Sequence, residues 1–277
     1  MQSAPPSLTM APERSASAPP VIGRPLLRRD VVTSTMDELL VHARAGAGEG
    51  TTLLAEYQSA GRGRAGRGWL APPGTSLLLS VLLRPRLAPS DLTPLSLLAA
   101  ACVAEAIATT TGLQARIKWP NDVLIDDRKV SGILATVSMM PEGDPAVILG
   151  LGINVNVAST DLPAGATSLL NECGAPLNRE RLLAELLKAL GQMYRAFQIR
   201  DYGAWWQRAT ARLAYAGDAV VLHDQGRDIH GTLMGVLPSG ELLLRGHDGA
   251  EHRFAAGELV RGPRRVEAGP STPLSTL

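Results

Sequence analysis

The residues of this chain best suited to handling an anion are crowded into Gly61-Arg62-Gly63-Arg64-Ala65-Gly66-Arg67-Gly68-Trp69, where three arginines are interleaved with four glycines. Glycine reaches φ > 0 without strain and leaves backbone N–H groups uncovered, so a ligand can approach the main chain. Arginine adds a permanently charged, planar fork that matches carboxylate and phosphate oxygens. Together they describe a loop that closes on an anion. A solvated basic turn, or an arginine–glycine segment that binds nucleic acid without specificity, fits the same stretch when it is taken alone. Further polar groups stand at Lys118-Trp119-Pro120-Asn121-Asp122 and at Lys129-Val130-Ser131-Gly132. Gly150, Gly152 and Asn154 punctuate an apolar run, and Ser34-Thr35 stands where a helix start offers free N–H groups.

Each group needs an element to hold it. The arginine loop lies between two apolar runs, 52–57 and 76–83, read as strands. Val31-Val32 is a short β-branched run, and Ser34 with Asp37, or Thr35 with Glu38, fits a capping box opening a helix that stops near Gly46. Residues 94–110 read as an Ala/Leu-rich helix ending before Gly112. Residues 114–135 read as a strand, a break at Pro120-Asn121, a second strand, a tight turn at Asp126-Asp127 and a third strand. Residues 147–157 form another strand, in which Gly150 and Gly152 face the same side. Paired strand glycines mark close approach of a ligand or of another backbone. Residues 179–197 form an amphipathic packing helix, and 202–212 a further one carrying Trp205 and Trp206. From Gly217 the pattern changes to short strands at 218–223, 228–237, 240–245 and 250–254, the size of a small SH3-like barrel. Residues 1–24, rich in Ala, Pro and Ser, read as a disordered tail.

Across 277 residues, 45% hydrophobic and 19% charged content is that of a globular protein with a sizeable core. A net charge of +1 makes any basic character local, and no DNA-binding surface is expected. Cys102 and Cys173 fit no paired metal or redox spacing, and Cys102 reads as a buried small side chain. No apolar run reaches membrane-spanning length, and the N-terminus lacks a secretory layout. The expected location is the cytoplasm.

Taken in order and spacing, these blocks resemble the biotin protein ligases. Glu56-Tyr57-Gln58-Ser59-Ala60 running into the arginine loop is similar to that family's biotin and nucleotide loop, and Lys118 to Asp122 followed by Lys129 to Leu134 is similar to its second signature. The likeness extends from about residue 28 to 262. It implies an α+β fold: a mixed-sheet catalytic domain over 25–212, related to class II aminoacyl-tRNA synthetases and lipoate ligases, then an SH3-like β-barrel over 213–266 and a disordered tail over 267–277. It implies that biotin attacks the α-phosphate of ATP, with Mg2+, to give biotinyl-5′-adenylate, and that a lysine of a biotin carboxyl carrier protein takes the biotinyl group. It assigns biotin contacts to Ser34, Thr35, Met36, Gln58, Arg62, Gly63, Arg64, Lys129 and Gly132, and ATP contacts to Arg62, Arg64, Arg67, Lys118, Asn121, Lys129 and Asn154.

The same likeness makes Lys129 and Arg64 catalytic, with Asp122 orienting or deprotonating the acceptor lysine; capping of the turn after Pro-Asn is the competing role for Asp122. Trp119 reads as core and Trp69 as the anchor of the loop. Two features depart from the family pattern. Met36 stands where a polar amide is usual, and the N-terminal tail stands where bifunctional members carry a DNA-binding domain, which implies a ligase without a repressor role. A homodimer is left open. So are a lipoate-type ligase of the same fold and a non-catalytic sensor of biotinyl-adenylate, although retention of Arg64 and Lys129 speaks against lost chemistry.

Overall fold

Strands whose apolar residues point to both faces need a cover on each side, and this chain supplies helices for both. The computed structural model describes residues 21–140, 143 and 145–262. It begins with β1 (Leu26–Val32), α1 (Thr35–Arg44), β2 (Thr52–Gln58), the short hairpin β3 (Gly61–Arg62) and β4 (Gly68–Trp69), and β5 (Ser76–Leu83). Next come α2 (Leu95–Thr111), β6 (Arg116–Lys118), β7 (Asp122–Ile125), β8 (Arg128–Met139) and β9 (Pro145–Asn154). Then follow α3 (Leu169–Cys173), α4 (Arg179–Gln198) and α5 (Gly203–Ala211), and finally β10 (Ala219–Asp224), β11 (Arg227–Val236), β12 (Leu242–Arg245), β13 (Glu251–Phe254) and β14 (Glu258–Arg261).

Seven strands form one mixed sheet in the order β1-β2-β5-β9-β8-β7-β6, in which only β1 and β2 run parallel. The period of two sorts its residues. Leu77, Leu79, Val81 and Leu83 of β5, with Val147, Leu149, Leu151 and Ile153 of β9, enter the main core under α2 and α4. Leu82, Ala146 and Ile148 point the other way and form a smaller cluster with Met36, Leu39 and Ala43 of α1. Gly150 and Gly152 share that second face. Buried on nearly every side, α2 ends at Gly112 in the left-handed region, φ 78°. In α4 the Asn178 side chain caps the Arg181 N–H, and burial of each large apolar residue on its stripe contributes roughly 1.5–3 kcal/mol. The arrangement is α+β.

The second sheet is antiparallel and open, in the order β13-β12-β11-β10-β14. It is joined to the first at several places, among them the Arg261–Asp127 ion pair at 3.0 Å. Trp119, 1% exposed and in the core as expected, donates Nε1–H to Gly240 O at 3.0 Å. The connecting chain pairs with β6, through Ile117 N–H to Arg212 O at 2.7 Å and Ala214 N–H to Ile117 O at 2.8 Å.

Several local expectations need correction. The capping box does not form: Ser34 is at the N-cap but makes no side-chain cap bond, while Asp37 and Glu38 turn to Arg62 and Arg29. Charged partners from other strands outcompete the helix's own N–H groups. The last strand of the mixed sheet stops at Asn154, because Val155 and Val157 leave the ladder for the core. Both α3 and β14 are too short to carry a periodic signal. Of the expected tails, residues 1–20 and 263–277 lie outside the described residues, whereas Ile22 is buried in the main core.

Candidate active site

The site forms on the α1 face of the mixed sheet. Thr35 opens α1, and both its N–H and its hydroxyl donate to Gln58 Oε1, at 2.8 and 3.0 Å. Ser80 Oγ–H in turn donates to Thr35 Oγ1 at 2.8 Å. All three residues are buried, so this chain of hydrogen bonds holds the end of β2 and the start of α1 in one geometry. Thr35 and Gln58 line one end of a cavity of about 140 Å3, which is also lined by Met36, Arg62, Gly63, Arg64, Arg67, Trp69, Asn121, Asp122, Lys129, Gly132, Gly150 and Gly152. Ser34 is fully buried and does not line it.

The glycines make the floor, for a reason the sequence reading missed. A Cβ on Gly152 would lie 2.5 Å from Trp69 Cε2, and one on Gly132 would lie 3.0 Å from Trp69 Cζ3. On Gly150 it would lie 2.7 Å from Met36 Sδ. Side chains of this chain make the close approach at these glycines, and the same three glycines line the cavity. Trp69 therefore anchors the loop by lying flat on the sheet, and it forms a wall of the cavity as well.

Charge is concentrated at one side. Lys129 Nζ is 2.6 Å from Asp122 Oδ1, and Lys118 Nζ is 3.6 Å from Asp122 Oδ2. The Asp122 carboxylate is thus shared by two lysines. Lys129 also stands 5.7 Å from the Trp69 ring centroid. Arg64 donates to Asn121 Oδ1 at 3.2 Å and reaches Gly257 O at 3.5 Å. Burial, opposed by Asp122, lowers the Arg64 pKa from its ordinary value. The other two arginines are tied outward, Arg62 to Asp37 and Arg67 to Glu258 at 3.0 Å. Burial would raise the Glu258 pKa, but the hydrogen bond and charge of Arg67 outweigh it, so this carboxyl sits below its usual value.

A second cavity adjoins the first across Gly68, Trp69 and Lys129, and is lined also by Leu70, Asn154, Pro163 and Ala166. Asn154 is therefore set apart from the residues around Thr35 and Gln58, and Lys129 borders both spaces.

Residues 29–154 match the model of the biotin/lipoate A/B protein ligase family. The bifunctional ligase/repressor BirA of Bacillus subtilis is 33% identical over 247 residues, which cover 85% of this chain and 74% of that protein. The chain belongs to the biotin protein ligase family. The biotin–[acetyl-CoA-carboxylase] ligase of Mycobacterium tuberculosis is 40% identical over 162 residues, covering 57% of this chain and 59% of that one. A solved biotin protein ligase from Aquifex aeolicus, in complex with biotin and ATP, superimposes with a TM-score of 0.75 at 31% identity, covering 86% of this chain and 99% of that one.

Within this family fold, the chemistry available to the site is that of joining two anions. Lys129, Lys118 and Arg64 supply positive charge around one carboxylate, beside an apolar floor and a buried hydrogen-bonding end. Sequence reasoning did not find Asp37, Gly257 and Glu258, which hold the loop arginines. Glu258 lies 191 residues from Arg67, and no local pattern announces that contact.

Proposed function

We propose that this chain activates biotin with ATP to biotinyl-5′-adenylate and transfers the biotinyl group to a lysine of a biotin carboxyl carrier protein. The observation that carries this reading is Lys129 standing between the two cavities with its ammonium on Asp122, across from Arg64. Biotin takes the cavity that ends at Thr35 and Gln58, its polar head toward those two residues and its body over Met36, Gly132 and Gly150. ATP spans Arg62, Arg64, Arg67, Lys118, Asn121 and Lys129 and reaches Asn154.

In the first step a carboxylate oxygen of biotin bonds to the α-phosphorus and the bond to pyrophosphate breaks. Lys129 and Arg64 stabilise the charge that shifts to the leaving group. The incoming phosphate competes with Asp122 for Lys129. Displaced from that pair, the Asp122 carboxylate can orient the acceptor lysine and take its proton as the amine attacks the acyl carbon and AMP leaves. Mg2+ would enter with the triphosphate as part of the substrate. No group of three His, Cys, Asp or Glu able to hold a metal occurs among the described residues.

We read residues 25–212 as the catalytic unit and 213–266 as a small SH3-like unit, a reading supported by the five short antiparallel strands of the second sheet. We read the location as cytoplasmic because the proposed reaction consumes ATP; among the described residues no helix is long and apolar enough to cross a membrane. Homodimerisation is supported by β8, which pairs with β7 only as far as Gly132 and carries exposed Val137 and Met139 beyond it.

The test is pyrophosphate release from ATP, followed by labelling of a carrier domain. Release that depends on biotin and is not driven by lipoate is expected. Release driven equally by lipoate, or no release with either, overturns the proposal.

A further inference from the structure

Lys129 is fixed from outside the cavity by a closed ring of contacts. Its N–H donates to Gly165 O at 2.8 Å and its carbonyl accepts from Thr167 N–H at 2.8 Å, so residues 165–167 run beside it as an isolated parallel bridge. Thr167 is 1% exposed and donates its hydroxyl to Glu172 in α3. The Glu172 side chain, 8% exposed, is 2.8 Å from the guanidinium of Arg128. Arg128 is the residue before Lys129, so the path from Lys129 through Thr167, Glu172 and Arg128 returns to its start. Asn154 Nδ2–H donates to Thr167 O at 3.0 Å, and Ala166 lines the second cavity. A carboxylate this buried requires partners. Here its partners lie on the two strands of chain that carry and flank Lys129.

We propose that Glu172 is a positioning residue for adenylate formation, holding the Lys129 backbone and residues 165–167 as one piece through Arg128 and Thr167. This rests on the reading of Lys129 as the cation at the reacting phosphate. Glu172 touches neither cavity and acts only through its two partners. The Lys129 ammonium sits at the end of a flexible stem, held at its tip by Asp122. Once phosphate draws it from Asp122, the backbone end is what keeps the stem aimed. A displacement of about 1 Å at a reacting group can cost on the order of a hundredfold in rate.

The test uses the full chain with Arg128→Ala, Thr167→Val, their double mutant, Glu172→Gln, and Lys129→Ala as reference. Pyrophosphate release is measured with ATP and biotin varied separately, beside thermal melting and hydrogen exchange of the Thr167 amide. Arg128→Ala and Thr167→Val are each expected to lose roughly tenfold in kcat/KM for ATP with an unchanged KM for biotin, and the double no more than either, since both open one ring. Glu172→Gln keeps an acceptor for Thr167 and removes only charge, so it should fall between wild type and those variants. It also carries the test if Arg128→Ala or Thr167→Val melts below the assay temperature. Exchange of the Thr167 amide should quicken in each variant. Wild-type kinetics, additive losses in the double mutant, or equal rises in both KM values with a lowered melting point would each overturn the proposal. Wild-type turnover by Lys129→Ala would instead remove the reading of Lys129, and unchanged Thr167 exchange would then overturn the ring on its own.

Discussion

Gly152→Ala is the smallest change that should disable the site while leaving the fold intact. The added methyl carbon would lie 2.5, 2.8 and 2.9 Å from Trp69 Cε2, Cζ2 and Cδ2, all atoms of a rigid ring. Ordinary contact would require the ring to lift by about an ångström, and overpacking that cannot relax costs roughly 1–3 kcal/mol. Which partner yields follows from how each is held. Gly152 is paired on both sides, with Leu78 of β5 and with Gly132 of β8, whereas Trp69 belongs to a hairpin registered at only Gly61–Trp69 and Arg62–Gly68. Trp69 should therefore leave the floor, at a cost to global stability below about 1 kcal/mol, taking the loop arginines with it. Loss of their alignment should lower kcat/KM for pyrophosphate release about 10- to 100-fold, or roughly 1.4–2.7 kcal/mol at the transition state. Tryptophan emission should shift to the red as Trp69 meets water. Gly150→Ala is the control, because its new methyl meets the flexible Met36 thioether, and its effect should be much smaller. Wild-type turnover and emission in Gly152→Ala, or equal losses in the two variants, would refute the reasoning.

Lys129→Ala should lose over a hundredfold in adenylate formation, roughly 3 kcal/mol, since a charge-assisted contact at the reacting centre disappears; steady-state turnover close to wild type would strike it from the catalytic residues. Arg64→Gly removes the contacts to Asn121 and Gly257 and adds a fifth glycine to the loop, so the adenylate should escape and biotinylate a bystander such as serum albumin. Labelling that stays confined to the carrier domain while synthesis persists would count against that role. The Glu258 pKa is depressed in the folded state, so what its pairing with Arg67 contributes is present above the ordinary carboxylate value and lost as pH falls through the folded value. Trp69 emission should accordingly shift in acid with a midpoint below the ordinary glutamate value, and this step should vanish in Glu258→Gln. A step that persists in the variant would assign it to another group.

The composition of the chain by itself determined the anion-handling loop, because alternating Gly and Arg act through local backbone freedom and fixed charge. Periodicity determined the strands around it, the Ala-rich and Leu-striped helices, and the common face of Gly150 and Gly152, since each follows from neighbours two to four residues apart. Family resemblance in two short blocks was enough to place Lys129, Asp122 and Arg64 in one site. Tertiary structure alone decided what those residues touch. Asp37 and Glu38 belong to a good capping pattern, yet their charges went to Arg62 and Arg29, and Gly152 and Gly150 give room to Trp69 and Met36 of the same chain. Glu258 holds the loop from the far end of the chain, and Glu172 joins Arg128 to Thr167 from a five-residue helix with no periodic signature. Ion pairing and burial depend on distances between segments remote in sequence, and those distances exist only after the sheet has assembled.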